Sequence, residues 1–189
     1  MGRRFAEVAF TPLVKKQQEL HGSRRQYQRV EESGEPGNRL GQYERSFING
    51  RDGFYMATVS ETGWPYIQFR GGPKGFLRVV DDQTIGFADL RGNKQYISIG
   101  NLNHDDRVCL FLMDYVEQQR LKLYGRAKIF EGTAESQALI DKFRTEEKDA
   151  WPERAVVIHI EAFDWNCPQH ITPRFTLEEL GALCKNSIG

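Results

Sequence analysis

The sequence predicts a mainly β, α+β chain: a small antiparallel β-barrel of six strands with flanking helices. Three observations carry that prediction. From Asp52-Gly53 onward the hydrophobic pattern changes to a period of two, in about six runs of strand length. Short turns such as Glu61-Thr62-Gly63 and Asp81-Asp82-Gln83 join these runs and so link antiparallel neighbours. Aromatic residues make up 12% of the chain, twelve of them Phe, which suits a β-rich core.

In chain order, residues 1–45 read as a peripheral helical extension. Thr11-Pro12 provides an N-cap and a first helical residue, residues 13–20 the helix, and Gly22 its stop. Residues 24–29 continue as a second helix, and 31–38 form a loop because turn formers and charge crowd out anything to bury. A short helix over 42–49 places Tyr43 and Phe47 on one face. Strands follow over 54–60, 64–69, 76–80 and 84–88. A helix over 93–101 is expected to pack Tyr96, Ile97 and Ile99 against the sheet. The almost continuous apolar run 107–113 predicts a strand buried on both faces, whereas 120–130 alternates so that one face is wet. Residues 133–148 form an amphipathic helix with Leu139, Ile140 and Phe143 inside. A last strand spans 155–163. The final helix, 176–185, is capped by Thr176, with Glu178 and Glu179 in its first turn.

With 189 residues the chain is long enough for one domain with a real core plus an extension. Lys and Arg total 26, as do Asp and Glu, so there is no long-range attraction to nucleic acid or to an acidic membrane. No apolar run approaches the ~18 residues of a membrane span. The N-terminal Met1-Gly2-Arg3-Arg4-Phe5 has no apolar signal core, and Ala6 stands where myristoylation needs Ser or Thr. Cys109, Cys167 and Cys184 are not spaced as a metal or redox pair, so a reduced, cytoplasmic protein is expected.

Two turns carry the chemistry. The stretch 64–77 is a strand that breaks into Gly71-Gly72-Pro73, with Arg70 before the break and Lys74 after it. About twenty residues on, Arg91-Gly92-Asn93-Lys94-Gln95 hands a strand over to a helix. Glycine admits backbone N–H groups close to an anion, the helix start adds partial positive charge, and the cations neutralise the remainder. A phosphate-bearing cofactor is what such a pair of turns suits. Gln68 and Gln95 are placed to hydrogen-bond such a cofactor. Cys167-Pro168-Gln169-His170 lacks the further ligands a metal requires, so no metal site is expected.

The chain resembles the pyridoxamine 5′-phosphate oxidase-like family of FMN-binding split barrels over about residues 45–175. The resemblance rests on Gly63-Trp64-Pro65-Tyr66, Arg91-Gly92-Asn93-Lys94-Gln95, Asn103-His104-Asp105-Asp106-Arg107-Val108 and Leu123-Tyr124-Gly125-Arg126-Ala127. A C-terminal Trp165-Asn166-Cys167-Pro168-Gln169-His170-Ile171-Thr172-Pro173-Arg174 completes the set. The implied organisation is a helical extension (1–45), an FMN-binding split barrel (46–175) and a C-terminal helix (176–189). By the same resemblance, Arg70 and Lys74 lie where the family holds the FMN phosphate. Asn93-Lys94 replaces the family's Arg-Lys pair, with Arg91 nearby. Arg120 falls where a polar donor meets the isoalloxazine ring. Trp165 and Arg174 match residues that close the site across a dimer, and His170 sits near a substrate-facing position. The segment 131–137 lacks the arginines that grip a vitamin-B6 phosphate in true pyridoxamine-phosphate oxidases, which points away from that substrate. The resemblance implies a homodimer with FMN at the interface and flavin-dependent oxidation or reduction of a small molecule. Because the flavin carries the redox chemistry, no catalytic side chain is required of the sequence. The alternatives are a non-catalytic flavin-binding or redox-sensing protein, or the same fold holding a deazaflavin or a haem. A haem would need an axial ligand, with His159 and His170 as the candidates.

Overall fold

Seven strands, all paired antiparallel, make one sheet in the computed structural model, which describes residues 1–146, 151–165 and 169–186. They are β1 (Gly53–Val59), β2 (Pro65–Gly71), β3 (Arg78–Val79), β4 (Thr84–Leu90), β5 (Arg107–Asp114), β6 (Gln119–Phe130) and β7 (Pro152–Trp165). The order across the sheet is β2-β1-β5-β6-β7-β4-β3. About six strands were expected from seven candidate runs; all seven runs pair, although of the stretch 76–80 only the two-residue β3 does.

The sheet does not close, but it curls until its two ends face each other. Phe54 of β1 stacks on Phe76 at 5.6 Å between ring centroids and meets Phe87 of β4 edge-on at 5.4 Å. Arg70 of β2 reaches across to Asp89 of β4 in an ion pair. The result is a split β-barrel with a seam between β2 and β4. Inside it, Met56, Leu110, Leu112, Leu121, Leu123, Ile158 and Ile160 are fully buried, the inward positions of alternating strands. Where β6 meets β7 the register shifts at Tyr124/Gly125, and a Cβ on Gly125 would stand 2.5 Å from the His159 carbonyl oxygen.

Among the described residues seven helices flank the barrel: α1 (Arg3–Ala9), α2 (Pro12–Leu20), α3 (Arg24–Ser33), α4 (Gln42–Asn49), α5 (Ile97–His104), α6 (Ala134–Phe143) and α7 (Leu177–Asn186). Thr11, Thr133 and Thr176 accept hydrogen bonds from the first turns of α2, α6 and α7; the caps at Thr11 and Thr176 were expected, whereas Thr133, expected as the first helical residue, stands just outside α6 as its cap. No helix among the described residues is long and apolar enough to cross a membrane.

Several expectations are corrected. The N-terminal segment is not wholly peripheral: Phe5 and Ala6 of α1 are buried, and the Phe5 ring lies 5.0 Å from Tyr124. Helix α3 extends into the first three residues of the expected loop, to Ser33, where Glu31 is held by Lys15 and Arg24; residues 34–38 are non-helical as expected. Helix α5 begins four residues late. Lys94 and Tyr96 both take left-handed backbone conformations, and the buried face is Ser98, Asn101 and Leu102, leaving Tyr96 and Ile97 exposed. Strand β5 alternates between buried and half-buried positions instead of being buried on both faces. Helix α6 stops at Phe143, where Arg144 turns extended. The rest of the helix expected to 148 runs into residues 147–150, outside the described residues.

Candidate functional site

The seam holds a polar cleft with room for about 180 Å³, bounded by β2, β4, the start of β7 and the start of α5. Its walls follow from an inverted strand. Tyr66, Gln68 and Arg70 of β2 line the cleft, while Ile67 and Phe69 between them face outward at 62% and 58% exposure. An ordinary half-buried strand would do the reverse, apolar inward and polar outward.

Opposite β2, an ion-pair network is buried in the wall. The Asp89 side chain, 6% exposed, takes the Arg70 guanidinium on one oxygen and Arg154 Nη1 on the other, the latter at 3.0 Å. Arg154 also donates from Nε to Glu131 (2.9 Å) and from Nη2 to Glu153 (2.9 Å). Burial works against the Arg154 charge, but hydrogen bonds to Glu131 and Asp89 outweigh it and hold that guanidinium above its ordinary pKa. The Tyr96 ring lies 5.1 Å from Arg154 Cζ, and its hydroxyl donates to Glu153 at 3.3 Å. Arg70 Nε is buried and has no partner among the described residues.

The floor is the start of α5. Asn93 Oδ1 accepts from the Gln95 N–H (3.1 Å), Lys94 sits at φ 61° and Tyr96 at φ 53°. No side chain among the described residues caps this helix, so the first-turn N–H groups of Ile97, Ser98 and Ile99 stand at the cleft without a partner among those residues. Ser98 Oγ donates to Gln68 Oε1 at 3.1 Å, tying the helix to β2 and orienting that amide. Among the lining residues, three cations (Arg70, Lys94, Arg154) face two carboxylates (Asp89, Glu153). Uncommitted N–H groups, a spare buried guanidinium N–H and one excess positive charge fit a phosphate monoester.

Of the expected site residues, Gln68, Arg70, Asn93, Lys94 and Gln95 come together here. Arg91 lies just outside, 3.7 Å from Glu153. Lys74 does not reach the cleft; it borders an open groove with Arg78 and the end of α6. Arg120 stands on the outer face of β6 opposite Met113, with a buried Nε that lacks a partner among the described residues. Trp165 ends β7 and is packed: its ring lies 4.7 Å from Phe47 and 4.9 Å from Tyr43, and its Nε1 donates to Glu44 at 2.9 Å. Arg174 is exposed, its Cζ 5.1 Å from the Tyr115 ring. His170 is exposed at φ 65°, and His159 is exposed on β7; neither lines the cleft. Cys167 falls in 166–168, outside the described residues. Among the described residues no group of three or more His, Cys, Asp or Glu could hold a metal.

Sequence reasoning missed Asp89, Glu153, Arg154, Tyr66, Tyr96 and Ser98 as cleft residues. A signal existed for two of them. Asp89 and Arg154 occupy inward positions of strands, where a charge must find a partner.

Comparison with known proteins then adds lineage to geometry. Residues 41–166 match the family model for pyridoxamine 5′-phosphate oxidase. The fold is similar to that of HupZ from Group A Streptococcus, with TM-score 0.54 and 20% identity over 72% of this chain and 99% of that one. A candidate pyridoxamine 5′-phosphate oxidase from Lactobacillus delbrueckii gives 0.53 and 20% over 67% and 94%. An FMN-binding protein from Syntrophomonas wolfei gives 0.51 and 16% over 65% and 83%. At these identities the likeness is one of fold. A search of curated proteins finds no significant match.

Proposed function

Because the chain belongs to the pyridoxamine 5′-phosphate oxidase family, we propose that it is a homodimeric FMN-dependent oxidoreductase acting on a small molecule. The observation that carries the reading is the inversion of β2. Its polar face turns into a cleft built for a phosphate, and its apolar face turns outward, where a second copy can cover it.

The cleft's size supports the same conclusion. Ligand pockets usually offer roughly 300–1,000 Å³, and about 180 Å³ accommodates only part of a flavin nucleotide. In this reading Lys94, Arg70 Nε and the first-turn N–H groups of α5 hold the phosphate, while Gln68, Gln95 and Ser98 bind the adjoining polar chain. The ring would then be held by residues of the second copy: Arg120, Trp165 and Arg174, which do not line the cleft of their own chain, would be its contribution. When bound, the flavin supplies reversible hydride and electron transfer. The protein's own part is to fix the phosphate, orient the amides and keep water from the seam.

The test is an FMN titration of the purified protein followed by absorption and fluorescence, with stoichiometry and mass measured together. One FMN per chain on a dimer is expected, and bleaching of the bound flavin by NAD(P)H marks turnover. A protein that binds FMN but stays oxidised under NAD(P)H is a flavin-binding sensor. A protein that binds none leaves the family fold without its cofactor function.

A further inference from the structure

We propose that Asp89 sets the anion affinity of the seam cleft by competing with the ligand for Arg70 and Arg154, so that FMN is held as an exchangeable ligand. This rests on the reading of the cleft as a flavin phosphate site.

The argument begins with which donors remain free. Asp89 is buried between the two guanidiniums and takes one hydrogen bond from each. Each nitrogen of Arg154 already donates to a carboxylate, of Glu131, Asp89 or Glu153. Arg70 bonds Asp89 through Nη1 alone, and its buried Nε has no partner among the described residues, so its charge is countered while its Nε edge stays open. Lys94 is exposed, so its attraction for a phosphate is weakened by solvent. A dianionic phosphate entering this cleft therefore meets two carboxylates among the lining groups, an Arg154 bonded at every nitrogen, and an Arg70 whose charge Asp89 already counters. A site for permanent retention would leave those two positive charges uncountered. Here the chain counters both with its own carboxylate, which ties β2 to β4 across the seam and opposes an incoming anion. Glu153, at the cleft's rim and bonded to Arg154 and Tyr96, acts in the same sense from a more solvated position.

A purely structural latch and a built-in competitor differ in the sign of one effect. Substituting Asp89→Asn keeps the size and one acceptor but removes the charge. If Asp89 competes with the ligand, the folded variant loses thermal stability without ligand, yet binds FMN about tenfold more tightly than wild type. Its affinity for riboflavin, which lacks the phosphate, stays unchanged. Wild type then loses FMN on gel filtration and the variant retains it. If Asp89 is only a latch, FMN affinity falls or holds while stability drops, and the proposal is overturned. Glu153→Gln should shift FMN affinity in the same direction by a smaller factor. Should Asp89→Asn fail to fold, the absence of any gain in Glu153→Gln overturns the proposal instead. Wild type that binds neither FMN nor inorganic phosphate, the latter read by thermal shift, sinks the cleft reading itself and this inference with it.

Discussion

Lys94 is held at φ 61° beside Tyr96 at φ 53°, conformations that cost a residue with a side chain roughly 1–3 kcal/mol each. Two such residues in one turn need a reason, and the turn supplies one: it frees the start of α5 to face the cleft with its lysine alongside. Replacing Lys94 with Ala should weaken FMN binding about tenfold with little change in the melting temperature, since the side chain is exposed. Fluorescence titration and a thermal melt of the same sample check both halves; unchanged affinity would remove Lys94 from the site. Cys109 illustrates the opposite case, a side chain set by burial alone. Burial pushes its thiol pKa up, with Lys122 offsetting only part of the effect. A raised pKa means less thiolate at neutral pH. Alkylation of Cys109, followed by mass spectrometry of its peptide, should be slower in the folded protein than in the unfolded chain at pH 7, and should accelerate as pH rises. Equal rates at pH 7 would contradict this.

At the scale of elements, β4 and α6 meet in a close fit. A Cβ on Gly86 would stand 2.4 Å from the ring of Phe143, which is 1% exposed and has nowhere to go. Gly86→Ala should cost about 1–3 kcal/mol through overpacking. Gly53 presents the same 2.4 Å approach, but to the ring of Phe69, which is 58% exposed and free to swing outward. Gly53→Ala should therefore cost clearly less, and urea denaturation of the two variants makes the comparison. Equal losses would mean that Phe69 is held in place, as a covering second copy would do. The same contrast explains which helices were legible. The 42–49 helix and the capped starts at Thr11 and Thr176 depend on local chemistry, and the structure reproduces them. The start of α5 depends on two left-handed residues that no local preference favours, so periodicity placed it too early.

For the molecule as a whole, the outward face of β2 and its neighbours is the feature that a single copy leaves unexplained. Ile67 and Phe69 are exposed there, with the Phe69 ring 5.4 Å from Tyr55. Large exposed apolar groups clustered on one sheet face mark an association surface. Phe69→Asp should yield a folded monomer with weakened FMN binding, read by light scattering coupled to size exclusion and by titration. A wild-type protein that is monomeric yet binds one FMN per chain would refute the half-site argument.

What the sequence determined by itself was the alternation of strands, the hairpin turns, the helix caps and the five cleft residues carried on two nearby turns. These are local: period, glycine and capping chemistry act over a few residues, and Gln68, Arg70, Asn93, Lys94 and Gln95 needed only the seam to bring their two turns together. Tertiary structure alone decided the rest. Asp89 and Arg154 are 65 residues apart and meet because β4 pairs with β7, an arrangement set by burial of the whole sheet. Arg70 looked like a free cation in sequence. It proved to be bonded to a buried carboxylate, because curling the sheet brings its two ends together and a charge left there must find its opposite.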